Sequence, residues 1–243
     1  MSRFSSEVRR SYIGSRLLGF FRGYVKGFFA KPIKSYAQKG EDLLVSGYFS
    51  EPGFYLDIGC YHPKHISNTY LLHKRGWRGC AVDIDQHKVD LFNKARGSRC
   101  NAILKAIVGH GIGRESMEVF KFGGHGGWSD IDTLDRVTAE MYRTVKGFGE
   151  YTVARVPILG INELLAELPE VNFLNIDVEG LDGELVDALD LDRFPIDVIL
   201  FEDNEVWGST SKRREKFAKH GYETLFVSGG SVCFAKPKLQ MDH

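Results

Sequence analysis

The chain is poor in sulfur, has no surplus of charge and holds no long uncharged apolar run, and each shortage removes a class of protein. Cys60, Cys80, Cys100 and Cys233 form no C-x-x-C pair, so neither a structural zinc site nor a disulfide framework is signalled. Four isolated cysteines in 243 residues read as reduced, buried residues of a cytosolic protein. Basic and acidic residues balance at 32 each, which argues against a general nucleic-acid binder, because such proteins are usually strongly basic. No internal repeat or low-complexity tract interrupts the pattern. A chain of this length forms one large domain, or one domain with an appendage.

Acid is what the first forty residues lack. Arg3, Arg9, Arg10, Arg16, Arg22, Lys26, Lys31, Lys34 and Lys39 face a single carboxylate, Glu7. Between them lie Ile13, Leu17, Leu18, Phe20, Phe21, Tyr24, Val25, Phe28 and Phe29. No stretch here reaches the ~20 apolar residues of a spanning helix. Nor is a secretory signal indicated, since Arg22 and Lys26 break the apolar region and no clear cleavage site follows. Residues 1–34 therefore read as a basic, aromatic amphipathic helix set apart from a domain over 35–243. Two uses fit it. One is peripheral contact with an anionic membrane from the cytoplasmic side. The other is packing on the domain or in a homodimer, through the stripe Gly19, Gly23 and Gly27.

Beyond Pro32, strands and helices alternate. Ser35–Phe49 reads as a lead-in helix with Leu43, Leu44, Tyr48 and Phe49 turned to a core. Strands are expected over Phe54–Ile58, Cys80–Ile84, within Asn101–Val108, and over Ser116–Phe122, Val153–Leu159, Phe173–Ile176 and Asp197–Phe201. Helices are expected over Ser67–Lys74, Gln86–Ala95, Ile161–Leu168, Gly183–Leu189 and Lys212–His220. The run GGHGGW at Gly123–Trp128 is too rich in glycine for regular structure and reads as a mobile loop or lid. Tyr222–Val227 and Ser231–Lys236, joined through Ser228-Gly229-Gly230, form a closing hairpin. The fold class is α/β: a Rossmann-like, mostly parallel sheet with helices on both faces and a C-terminal antiparallel hairpin.

Three segments stand out because apolar strands run into acid: FYLDIGCYHP (Phe54–Pro63), GCAVDID (Gly79–Asp85) and FLNIDVEGLDGEL (Phe173–Leu185). In a doubly wound sheet, ligands sit at the carboxyl ends of the strands, near the point where strand order reverses. Asp57, Asp83, Asp177 and Glu179 would then converge on one crevice. Carboxylates there suit a ligand with ribose hydroxyls or a cationic centre, and S-adenosylmethionine has both. A nicotinamide dinucleotide is poorly served, because its pyrophosphate needs G-x-G-x-x-G after the first strand. The turn here is Asp57-Ile58-Gly59-Cys60-Tyr61-His62-Pro63, with one glycine and two bulky rings.

Four motifs in order carry a family resemblance. They are Y-x-Q-x-G-E-D (Tyr36–Asp42), Y-L-D-I-G-C-Y-H-P with S-N-T (Tyr55–Thr69), G-W-R-G-x-x-V-D (Gly76–Asp83) and F-L-x-I-D-V-E-G-x-D (Phe173–Asp182). Together they resemble the FkbM family of S-adenosylmethionine-dependent methyltransferases, from about Ser35 to Lys236. The resemblance implies a class I methyltransferase fold, S-adenosyl-L-methionine as methyl donor, and O-methylation of a hydroxyl on a glycan or related metabolite. It places Asp57 and Gly59 near the methionine part of the cofactor and the S-N-T motif, with Asn68 and Thr69, beside it; Gln38, from the lead-in helix, would close over the methionine end. Asp83 would accept hydrogen bonds from the ribose hydroxyls. Ile84 would pack on the adenine face, and Ala106 and Ile107, after the third strand, would border the adenine edge.

Asp177 and Glu179 are the leading catalytic candidates. Methyl transfer is an in-line displacement on a sulfonium, so orientation carries much of the catalysis. A hydroxyl acceptor must also lose its proton, and a positioned base contributes roughly 10²–10⁴-fold. With Asp182 in the following turn, the clustered carboxylates either raise one another's proton affinity or bind a divalent cation, and the pattern leaves both open. His62, in the first-strand turn, is a further candidate base, ahead of His65 and His125. Glu202, Asp203 and Glu205 would form an acidic rim, and Trp128 and Trp207 could stack on a ring. A different class of function, a membrane-associated binding or scaffolding protein with a catalytically inactive Rossmann-like domain, is disfavoured by the intact Asp57, Asp83 and Asp177.

Overall fold

A computed structural model describes residues 33–110, 115–123, 129, 131–178, 180–203, 210–228 and 230–238. The N-terminal segment up to residue 32, most of the expected loop at 123–128, and Glu179, His125, Trp128, Glu205 and Trp207 lie outside them. In chain order the elements are α1 (Glu41–Tyr48), β1 (Phe54–Ile58), α2 (Tyr70–Lys74), β2 (Arg78–Asp83), α3 (Gln86–Arg96), β3 (Cys100–Leu104), β4 (Ala106–Val108) and β5 (Ser116–Phe122). They continue as α4 (Arg136–Thr144), β6 (Tyr151–Gly160), α5 (Ile161–Glu167), β7 (Phe173–Ile176), α6 (Asp182–Ala188), β8 (Val198–Glu202), α7 (Thr210–Lys219), β9 (Glu223–Ser228) and β10 (Ser231–Ala235).

Seven strands form the main sheet in the order β3-β2-β1-β7-β8-β10-β9. The first five are parallel, and β10 and β9 close the edge as the expected antiparallel hairpin. Strands covered on both faces read as continuous apolar runs, which is what LDI, CAV, FLNI and VILF supply. On one face, Leu56 and Ile58 of β1 and Leu174 and Ile176 of β7 pack with Leu164 and Leu165 of α5, Leu185 of α6 and Phe217 of α7. On the other, Tyr55 and Phe173 pack with Val45 of α1, Leu72 of α2 and Val89 and Phe92 of α3. The sheet is thus Rossmann-like, with helices on both faces. All four cysteines are free and buried.

Besides helix α4, which the sequence pattern did not mark, local order departs from expectation in three places. The lead-in helix starts only at Glu41, because Gly40 takes a left-handed φ of +85° and breaks the run. Asp42 then accepts from Ser35 Oγ (2.6 Å) and Tyr36 N (2.7 Å), folding residues 35–40 back on the helix start. As a result Glu41 and Asp42 are buried, while Leu43 and Leu44, expected in the core, are 37% and 38% exposed. Second, helix α2 begins at Tyr70 rather than Ser67. Third, the single strand expected within Asn101–Val108 divides at Lys105. β3 stays in the main sheet, and β4 joins β6 and β5 in a separate three-stranded sheet, β4-β6-β5. The backbone N–H of Lys105 bonds to Asp83 O at 3.1 Å, turning the chain at the end of β2.

Trp77, just before β2, is fully buried and meets Phe49 edge-on at 4.7 Å between ring centroids. Among the described residues its indole N–H has no hydrogen-bond partner, so burial of apolar area is its contribution. Trp77→Ala is expected to cost about 3–5 kcal/mol in denaturant unfolding. Trp77→Phe should cost clearly less, because it also removes a buried unpaired donor.

Candidate cofactor and acceptor site

Strand order reverses between β1 and β7: the chain runs outward through β2 and β3 on one side and through β8 on the other. At the carboxyl end of that junction opens a cleft with about 990 Å³ of empty space, its open mouth included. Asp57, Gly59, Asp83, Asn175 and Asp177 all line it, so carboxylates scattered over the sequence do share one crevice. The turn after β1 is tight. Gly59 has a φ of +79°, its N–H bonds to Val82 O at 2.9 Å, and a Cβ there would overlap the carbonyl oxygen of Asp177. Only glycine lets β1 and β7 leave the sheet this close together.

Asp57 is a buried hub. Its Oδ2 accepts from Thr69 Oγ1 at 2.5 Å and its Oδ1 from Asn175 Nδ2 at 2.9 Å. Asn175 Oδ1 in turn accepts from Asn68 Nδ2 at 3.0 Å. Behind Thr69 lies Arg96, buried at the end of α3, donating to Thr69 Oγ1 (3.2 Å), Ser67 Oγ (3.0 Å), Pro63 O (2.8 Å) and Tyr55 OH (2.9 Å). Burial pushes the Asp57 carboxyl above its usual range, against the pull of the Thr69 bond, the Arg96 charge and the Asn175 bond. Asn175 and Arg96 are parts of the site that the motif reading missed, whereas Thr69 belongs to the S-N-T motif. A polar residue at the third position of the apolar strand FLNI was the available signal for Asn175. Arg96 carried none, because nothing in a helix tail marks which arginine will be buried.

Asp83 ends β2 with its carboxylate turned to the cleft. It accepts from Tyr61 N (3.1 Å) and Asp85 N (3.0 Å), and Lys88 Nζ stands 3.8 Å away. Burial raises its proton affinity while Lys88 opposes the shift. Ile84 also lines the cleft and packs against the cluster that holds Leu134. Ile107 completes this apolar wall, and Asp132 stands with it. Of the two residues expected at the adenine edge, Ile107 lines the cleft, whereas Ala106 is buried in the core of the small sheet and its neighbour Lys105 reaches the cleft. Alternation along β4 turns adjacent side chains to opposite faces. Asp132 had no sequence signal, since it arrives from a distant loop bridged to β5 through Phe120 and Thr133.

A second, polar recess of about 410 Å³ adjoins the cleft and shares Gln38, Asn68, Asn175 and Asp177 with it. Glu41, Glu202, Lys39 and Ser231 complete its polar wall. Asp203 is not part of it, being paired with buried Arg213 at 3.3 Å. His62 lines neither cavity. Its Nδ1 accepts from Lys64 N and His65 N, both at 3.0 Å, so it shapes the turn. Burial holds its pKa below the ordinary imidazole value. Asp182 opens α6 and accepts from Val178 N at 3.3 Å, bracing the turn that carries Asp177. Burial pushes its carboxyl up to about 7. Among the described residues, no group of three or more His, Cys, Asp or Glu is placed to hold a metal ion.

The family model described as "Methyltransferase FkbM domain" matches residues 57–224, more than half of the chain. The chain belongs to this family. No curated protein matches this FkbM-domain methyltransferase. Among solved structures it is similar to a TehB-like SAM-dependent methyltransferase from Corynebacterium glutamicum, at 10% identity and a TM-score of 0.41, over 95% of this chain and 99% of that one. It is also similar to a precorrin-6y C5,15-methyltransferase from Geobacter metallireducens, at 15% identity and a TM-score of 0.40, over 85% and 91% of the two chains. The family's cofactor is S-adenosylmethionine, and the donor set fits it. A carboxylate at the tip of β2 suits ribose hydroxyls, the wall of Ile84, Ile107 and Leu134 suits an aromatic base, and Gln38, Asn68 and Asp177 suit the polar amino-acid end.

The raised Asp182 carboxyl makes a pH prediction for this FkbM-domain protein. An acid whose pKa is higher folded than unfolded stabilises the fold most below its unfolded value near 3.8, and that contribution fades as pH rises toward about 7. Asp182→Asn keeps an acceptor for Val178 N and removes the charge. The variant should therefore gain stability relative to the parent as pH is raised from about 4 to 7, measured by thermal unfolding across that range.

Proposed function

We propose that this methyltransferase transfers a methyl group to a hydroxyl of a glycan or related metabolite, with the cofactor in the cleft and the acceptor in the adjoining recess. The observation that carries this reading is Asp177, which lines both cavities at the tip of β7. A bound S-adenosylmethionine supplies an electrophilic methyl group. The protein's own part is to hold and orient. Asp83 binds the ribose, Ile84, Ile107 and Leu134 flank the base, and the Asp57–Asn175–Asn68 chain fixes the polar end. Asp177 accepts the acceptor's proton from the recess side. The polar walls of the recess, with Glu41, Glu202, Lys39 and Ser231, suit a polyhydroxylated ligand better than an apolar one.

Two substitutions separate binding from chemistry. Asp83→Asn keeps the shape and an acceptor oxygen but loses the charge. It should weaken S-adenosylmethionine binding roughly 10- to 100-fold in calorimetric titration, the range expected for charged hydrogen bonds. Asp177→Asn should retain cofactor binding within a few-fold while turnover of a labelled methyl group falls by about 10² or more. Screening glycan and metabolite fractions for uptake of that label tests the acceptor class. Unchanged turnover in Asp177→Asn would remove this residue from the mechanism.

We also propose that the basic, aromatic segment 1–34 brings the enzyme to an anionic membrane face on the cytoplasmic side. Each Lys or Arg near such a surface gains about 1 kcal/mol. No helix among the described residues is long and apolar enough to cross a membrane. Sedimentation with anionic liposomes should be strong for the intact chain and weak for a chain starting near Lys34. Equal sedimentation would overturn the tether, and a shift from dimer to monomer on truncation would assign the segment to dimerisation.

A further inference from the structure

The turn between β1 and α2 contains two non-glycine residues in the left-handed region, Tyr61 with φ +46° and Ile66 with φ +52°. They are the only such residues among those described, and both line the cleft. For a β-branched residue this conformation is a genuine outlier, since its Cβ crowds the backbone. Strain of this kind persists only where the surroundings impose it, and it gathers at ligand sites. Here both ends of the segment are pinned. Buried Arg96 holds Pro63 O at 2.8 Å and Ser67 Oγ at 3.0 Å, and Ser67 N donates to Tyr36 O at 2.9 Å. Glycine or asparagine would occupy the position between them at lower cost.

Ile66 gains little from the protein in return. It is 49% exposed and, among the described residues, belongs to none of the buried clusters. An apolar, branched side chain in a strained position at the edge of a cleft, with no core to fill, needs another source of contact. We propose that Ile66 is an apolar cover for the bound cofactor, held over the cleft by the pinned turn. The cover shields the ligand from water, and its apolar contact is gained only when the cleft is filled. This inference rests on the reading of the cleft as the S-adenosylmethionine site, and it adds a residue that neither the strand-tip carboxylates nor the family motifs mark.

The test uses the full chain and two readouts, thermal unfolding without cofactor and calorimetric titration with S-adenosylmethionine. Ile66→Gly should relieve the strain and lose the cover together. Its Tm should rise by about 2–4 °C, the shift expected for a modest stabilisation of a chain this size. Its Kd should weaken roughly 3- to 10-fold, as for loss of a partly buried aliphatic contact. Ile66→Ala loses the cover but keeps a Cβ at positive φ, so it should show a similar loss of affinity with little of the gain in Tm. A glycine variant that binds as tightly as the parent overturns the cover. A glycine variant whose Tm falls or stays unchanged overturns it as well, because Ile66 would then be serving the fold. Failure of the parent itself to bind S-adenosylmethionine overturns the proposed function, and the cover with it.

Discussion

The structure turns on one buried carboxylate, Asp57, in the strand at which the strand order reverses. A charge without solvent is unfavourable unless every lone pair direction is answered, and half-answered burial costs more than none. Thr69 and Asn175 answer it from two different elements, and Arg96 stands behind Thr69 with a full positive charge. That requirement ties β1, β7, the start of α2 and the end of α3 into one polar assembly beneath the cleft. Loosening any member would leave another with an unpaired buried group, so the assembly rigidifies the site rather than merely adding contacts.

Around this hub, apolar and polar tasks are separated along the strand axis. Leu56, Ile58, Leu174 and Ile176 serve the packed layer beneath α5, α6 and α7. The residues at the strand tips instead serve the crevice. The small sheet β4-β6-β5 extends the crevice beyond what the main sheet offers. Its core of Ala106, Val119 and Val156 packs with Leu134, and the loop carrying Asp132 and Leu134 is brought to the cleft by the bridge between Phe120 and Thr133. The ligand walls are therefore shared by two sheets whose strands come from distant parts of the chain.

The same crevice gathers the unfavourable local terms of the fold. Asp57, Asp83 and Asp132, which line it, all have their carboxyls shifted upward by burial. The two left-handed non-glycine residues lie in the turn that borders it. Perturbed acids and strained backbone concentrate where binding and chemistry need them, because evolution tolerates such terms only where they do work. Their co-location is a physical reason, independent of motif matching, to place the site here.

Much of this was legible in the chain itself. Strand and helix positions follow from apolar periodicity, and the convergence of Asp57, Asp83 and Asp177 follows from acid at the ends of apolar strands in a parallel sheet. Those features are local or depend only on strand direction, so sequence by itself determined the fold class, the family and the convergence of the strand-tip carboxylates on one cleft. Tertiary structure decided what depends on contacts between distant residues. It split Cys100–Val108 between two sheets, buried Glu41 and Asp42 in place of Leu43 and Leu44, and took Ala106 from the cleft while bringing Asp132 into it. It also made Arg96 the support of the polar assembly. Periodicity reports which face of an element is apolar, but a hydrogen bond or an ion pair between elements is set by where the packed core leaves them.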